Sequence, residues 1–115
     1  MEIKHYDVSA TTSRVTEAGG FLFFSGHVAA KGDTMEEQAH ALFARLDELF
    51  ERFGTDKNHM VMATIYMPDI AQKETFNQVW DQWIDEGCAP ARVCVEAGLG
   101  KTPYLMEVSV IAVKK

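Results

Sequence analysis

Two cysteines in 115 residues leave no framework for a disulfide-built domain. Cys88 and Cys94 stand six residues apart, and no second pair frames a zinc site. His5, His27, His40 and His59 show no ligand spacing either, so no metal is expected. No secretory segment is recognisable, and free thiols in a reducing, cytoplasmic compartment are the expectation. No run approaches the roughly 18 apolar residues that a membrane helix needs. Positive charge is scarce, with 11 Lys and Arg against 17 Asp and Glu and a net charge of −6. That excess of acid argues against a general nucleic-acid binder, which needs a basic footprint. It leaves room for a small anionic ligand, which feels the local field more than the total charge. P-loop, HExxH and GxGxxG patterns are all missing, and no pyridoxal or flavin site is visible, so no cofactor is expected.

What is present is apolar and periodic. A hydrophobic content of 47% suits one domain, residues 1–115, with a real core. Residues 2–8 alternate weakly, as an edge strand does. Residues 14–26 read as a hairpin turning at Gly19-Gly20, its second arm the aromatic run Phe21 to Phe24 followed by Ser25-Gly26. Thr34 and Glu37 form a capping box ahead of Met35, Ala39, Leu42, Leu46, Leu49, Phe50 and Phe53 at helical spacing, and Gly54 supplies a stop. His40 within it reads as a helix-surface residue. Residues 60–67 read as a strand closed by Pro68, and residues 70–84 as a second helix carrying Phe76, Val79, Trp80 and Trp83 on one side. A final strand runs from Tyr104 to Val113. The order β-β-β-α-β-α-β-β implies an α+β layer, with both helices on one face of a mixed, mostly antiparallel sheet. The chain is too short for a third layer, so self-association is expected to cover the other face.

Between the second helix and the last strand lies Pro90-Ala91-Arg92-Val93-Cys94-Val95-Glu96. Alternation puts Arg92, Cys94 and Glu96 on one face and Val93 and Val95 on the other, toward the core. A charged strand face demands a partner, a ligand or solvent. Three readings stay open: a structural ion pair, an anion site gripping a carboxylate through the guanidinium fork, and a solvated face. A further carboxylate, Glu107, sits inside the next apolar run.

Taken with Met106-Glu107-Val108 fifteen residues beyond Arg92, Ile111-Ala112-Val113, Ser25-Gly26 and Asn77, this run resembles the Rid family of reactive-intermediate deaminases, also called YjgF-like. The resemblance spans nearly the whole chain. It implies a chorismate-mutase-like α+β fold, a homotrimer with ligand clefts between subunits, and hydrolysis of 2-enamino or 2-imino acids, such as 2-aminoacrylate and 2-iminopropanoate, to 2-keto acids and ammonia. By position it implies that Arg92 binds the substrate carboxylate and Glu107 manages water. Ser25, Gly26 and Cys94 line the pocket, and Asn77 supports it. Where family members commonly place an aromatic residue against the substrate, this chain has Arg14, a second positive charge. Metal and cofactor are expected to be absent.

The chemistry suits those residue types. An imine carbon is electrophilic; the task is to hold it, deliver water and protonate the departing amine. Cys94 as a nucleophile lacks an assignable histidine base. His27, next to Ser25-Gly26, is placed near the pocket or in a structural role. The alternatives are a non-catalytic trimer that binds or senses 2-keto acids, a ribonuclease, which the acidic charge disfavours, and a purely structural trimer.

Overall fold

The computed structural model describes residues 1–29, 31–101 and 103–115. In chain order the elements are β1 (Lys4–Val8), β2 (Ser13–Ala18), β3 (Phe21–His27), α1 (Met35–Arg52), β4 (Met60–Met67), α2 (Lys73–Trp83), β5 (Ala91–Glu96) and β6 (Glu107–Val113). The strands form one sheet in the order β1-β2-β3-β6-β4-β5. Every pairing is antiparallel except that of β4 with β5, which follows the crossover through α2. The β2–β3 hairpin closes on Gly19 and Gly20, whose φ values of +59° and +85° suit residues without a Cβ.

Helix α1 begins where the capping box predicts. Thr34 accepts from the Glu37 backbone, and the Glu37 carboxylate returns to the Thr34 N–H. Helix α2 starts three residues later than its apolar pattern. Residues 70–72 form a 3₁₀ turn, because the Asp69 carboxylate caps Ala71 and no side chain caps the α-helix itself. The last strand also starts later, at Glu107 rather than Tyr104. Buried Gln38 on α1 donates to the Pro103 carbonyl at 2.8 Å and accepts from the Leu105 N–H at 2.9 Å, which holds that stretch as a loop.

Both helices cover one face of the sheet. Leu22, Phe24, Ala63, Ile65, Val108 and Val110 meet Leu42, Phe43, Leu46 and Phe50 of α1 and Phe76, Val79 and Trp80 of α2. The other face stays open and apolar: Phe21, Phe23, Val61, Val93 and Val95 are each two-fifths exposed or more. This corrects the expectation for β5. Val93 and Val95, 45% and 41% exposed, lie on the open face, and Arg92 and Cys94 turn toward the helices. The register explains it. Arg92 pairs with Ala63 and Cys94 with Ile65, both fully buried beneath the helices, so their side chains share that side.

Candidate active site

Arg92 stands on β5, the sheet's edge strand, with its side chain against α2. Its Nη2 donates to Asn77 Oδ1 at 2.6 Å, and its guanidinium carbon lies 5.0 Å from the centre of the Trp80 ring. Asn77 and Trp80 are three residues apart, so one helix face presents both. Among the described residues no carboxylate lies within 4.0 Å of Arg92, which removes the structural ion-pair reading. An amide oxygen and a ring fix the guanidinium without neutralising it, and its remaining N–H groups have no acceptor among the described residues. Cys94, half-buried on the same side, packs against the core. Glu96 takes another role, accepting from the Ile70 N–H at 3.1 Å at the entry to α2.

Glu107 opens β6 opposite Tyr66 of β4. Its side chain lies across Gly26: a Cβ there would sit 2.6 Å from both Cδ and Oε2 of the carboxylate. Gly26 therefore lets Glu107 lie flat against the β3 backbone, at the bulge between Phe24 and His27. Beside it runs a groove of about 270 Å³ whose walls include Arg14, Ser25, Gly26, His27 and Arg45. Ser25 Oγ donates to the Arg14 carbonyl at 3.0 Å, tying β3 to β2. Arg14 Nε lies 3.3 Å from Asp7 Oδ2, and Arg52 grips the same carboxylate with two bonds of 2.7 and 2.6 Å. Those bonds from Arg52 hold the Asp7 carboxyl below the usual range. Buried His27 lies 2.6 Å through Nδ1 from the Ser25 carbonyl; a carbonyl only accepts, so Nδ1 carries the proton. Burial pushes the His27 pKa down, aided by the charges of Arg45 and Arg14.

The seven residues singled out in the sequence thus fall into two groups. Arg92, Asn77 and Cys94 gather where β5 meets α2. Glu107, Gly26, Ser25 and Arg14 gather at the end of β3. The two groups are not joined within one chain. Arg92 shares the helix-covered side with Ala63 and Val110, whereas Glu107 is in register with Tyr66 and Val95 on the open side. Sequence reasoning passed over Asp7, Arg45 and the place of Trp80 under Arg92. Trp80 is signalled by its spacing from Asn77. Asp7 and Arg52 carry no local signal, since 45 positions separate them.

Comparison with known proteins gives concordant matches. A family model described as Endoribonuclease L-PSP matches residues 3–114. The RutC family protein YoaB of Escherichia coli is 32% identical over 113 residues, covering 97% of this chain and 98% of that protein. A RutC family protein of Haemophilus ducreyi is 28% identical over 111 residues, covering 96% and 95%. Among solved structures, NMB1025 of Neisseria meningitidis, described as a member of the YjgF protein family, superposes with a TM-score of 0.94 at 36% identity, covering 100% of this chain and 97% of that one. A protein of Salmonella typhimurium described as a putative translation initiation inhibitor superposes with a TM-score of 0.85 at 30% identity, covering 96% of both chains.

Proposed function

The chain belongs to the YjgF/RutC/Rid family, and from that premise we propose that it hydrolyses small 2-imino or 2-enamino acids to 2-keto acids and ammonia. One observation carries the reading: the Arg92 guanidinium is held by Asn77 and Trp80 and has no carboxylate within 4.0 Å among the described residues. A cation fixed and unpaired in this way is built for an exogenous carboxylate, which its planar fork accepts through two bonds.

The reaction needs a water, a base and a proton for the leaving group. Arg92 holds the 2-carboxylate and thereby fixes the imine carbon beside it. Water attacks that carbon; the carbon–nitrogen double bond opens, and Glu107 takes the proton from the water. The same carboxyl returns that proton to nitrogen, giving the carbinolamine; it then carries the carbinolamine hydroxyl proton to the nitrogen as well, the carbon–nitrogen bond breaks, and ammonia departs as the carbonyl forms. The sum is imine plus water to keto acid plus ammonia. Neither oxidant nor reductant enters the balance.

Because Arg92 and Glu107 address opposite sides of one sheet, the site is completed between subunits. Arg92 comes from one protomer and the Glu107–Gly26 edge from its neighbour, in a homotrimer that covers the apolar open face. No helix among the described residues is long and apolar enough to cross a membrane. The net charge of −6 weighs against tracking an RNA backbone.

The test is Glu107→Gln, assayed on 2-iminopropanoate generated in place by an amino-acid oxidase. Turnover is expected to fall by on the order of 10² or more, while binding of a stable 2-keto acid changes far less. Near-normal turnover in the variant removes the general-base role. If the parent protein fails to turn over small, branched and aromatic imines but binds keto acids, it is a sensor.

A further inference from the structure

We infer that the groove beside Gly26 is a second carboxylate site, so that the ligand this chain prefers is a 2-imino or 2-keto dicarboxylic acid. As a statement about catalysis this rests on the imine-hydrolase reading; as a statement about binding it does not.

The first support is the sign of the groove's charge. Arg14 and Arg45 line it, with Asp7 as the one acid among its described wall residues. Asp7 is already answered by two bonds from Arg52. Two arginines therefore meet in a small hollow of a chain whose net charge is −6. A basic hollow on an acidic protein attracts a local anion without attracting polyanions.

The second support is preorganisation. Asp7 has φ of +52°, a left-handed conformation that a side chain with a Cβ adopts at a cost and that is unique to it among the described non-glycine residues. That conformation accompanies the bridge from β1 to Arg14 on β2 and Arg52 on α1. Asp7 is met by Nε of Arg14 at 3.3 Å, and the terminal nitrogens of Arg14 make no hydrogen bond among the described residues. Arg45 spends Nη1 on the Val28 carbonyl at 3.1 Å and keeps Nε and Nη2 uncommitted, with no carboxylate within 4.0 Å among the described residues. Two anchored guanidinium groups with open edges match the four lone-pair positions of one carboxylate.

The third support is position. Gly26 is part of the groove wall, and the Glu107 carboxylate lies against it. A ligand reaching that carboxylate has the groove as its next space. The volume of about 270 Å³ admits a short carboxylate-bearing side chain. His27 lies in the same wall, its pKa pushed down first by burial and then by the charges of Arg45 and Arg14. The 2-carboxylate on Arg92 and the side-chain carboxylate on Arg14 and Arg45 then fix the two ends of the ligand, with the reacting carbon between them.

The experiment is titration calorimetry with 2-oxoglutarate and oxaloacetate against 2-oxobutanoate and pyruvate, at one fixed low ionic strength. The proteins are the parent, Arg14→Gln, Arg45→Gln and the double variant. The parent is expected to bind the dicarboxylates about tenfold or more tightly than the monocarboxylates, and each variant to lower that ratio by about threefold or more. Equal affinities in the parent, or a ratio unchanged in the double variant, overturn the inference. Should Arg14→Gln loosen the hairpin, Arg45→Gln carries the test alone, because Arg45 is an exposed helix residue. Dicarboxylate preference without turnover of any imine refutes the hydrolase reading and sustains the second carboxylate site. Turnover of 2-iminopropanoate without dicarboxylate preference does the reverse.

Discussion

Replacing Arg92 with alanine removes two things of different size. The structural part is one charge-assisted bond to Asn77 and the stacking over Trp80. The bond is worth about 1–1.5 kcal/mol at a half-exposed site and the ring contact about 0.5 kcal/mol. The fold should therefore lose about 1.5–2 kcal/mol, seen as a fall in melting temperature of roughly 5–10 °C for a chain of this size. The functional part is the fork on the substrate carboxylate. Two charge-assisted bonds that position the imine contribute about 3–4 kcal/mol together, which is on the order of 10² to 10³ in kcat/KM. The variant should thus remain folded at 25 °C and be almost inactive. Lysine restores the charge but not the planar fork, and cannot serve Asn77 and a ligand in one plane, so Arg92→Lys should recover only about tenfold. The assay couples imine generation to keto-acid formation, read before spontaneous hydrolysis intrudes, with thermal unfolding followed by circular dichroism. Activity of Arg92→Ala within about threefold of the parent refutes the reasoning, because the uncommitted guanidinium would then have no ligand. Collapse of the assembly in that variant would make Arg92 a structural residue instead.

Three further outcomes follow from the same geometry. Gly26→Ala places a Cβ 2.6 Å from the Glu107 carboxylate; it should push Glu107 aside and reduce turnover by on the order of tenfold or more, with a small change in melting temperature, and an unaltered kcat would show that the Glu107 pose is dispensable. Light scattering at micromolar concentration should report about three times 12.9 kDa, because Phe21, Phe23, Val61, Val93 and Val95 leave an apolar sheet face to cover; a stable monomer contradicts a shared site. The lowered His27 pKa gives a signed pH dependence. The unfolded state binds a proton more readily than the folded one, so this contribution is complete above the ordinary histidine value of about 6.5 and is lost as pH falls through the depressed folded value. Denaturant midpoints should fall on acidification in the parent and less steeply in His27→Gln; equal slopes would remove His27 as a source.

Local signals made most of the fold legible. Gly19-Gly20, the Thr34–Glu37 box and the stripe from Met35 to Phe53 each specify structure within a few residues, and all appear as read. Alternation in β5 fixes which residues share a side but not which side the helices cover. That choice is made by pairing with Ala63 and Ile65, some 29 positions earlier. The start of β6 was lost to a capture by Gln38 from 65 and 67 positions away. In the site, Arg92, Asn77 and Glu107 were visible as residue types in a pattern. Their division between two sides of the sheet was not, since it depends on strand register. The Asp7 bridge, built on long-range contacts and a left-handed residue, left no local trace.

The division of the site between protomers is tested most directly by mixing two inactive variants. Arg92→Ala and Glu107→Gln, carrying different affinity tags, are co-expressed in equal amounts, and assemblies bearing both tags are assayed against each pure variant. In random assemblies a shared site is intact when an unaltered Arg92 meets an unaltered Glu107 from the next subunit, which happens at about one interface in four in a cyclic ring. The expected result is recovery to about a quarter of parent turnover, slightly more after selection for both tags. Turnover no higher than that of the pure variants would place Arg92 and Glu107 in one chain's site, and would contradict the account.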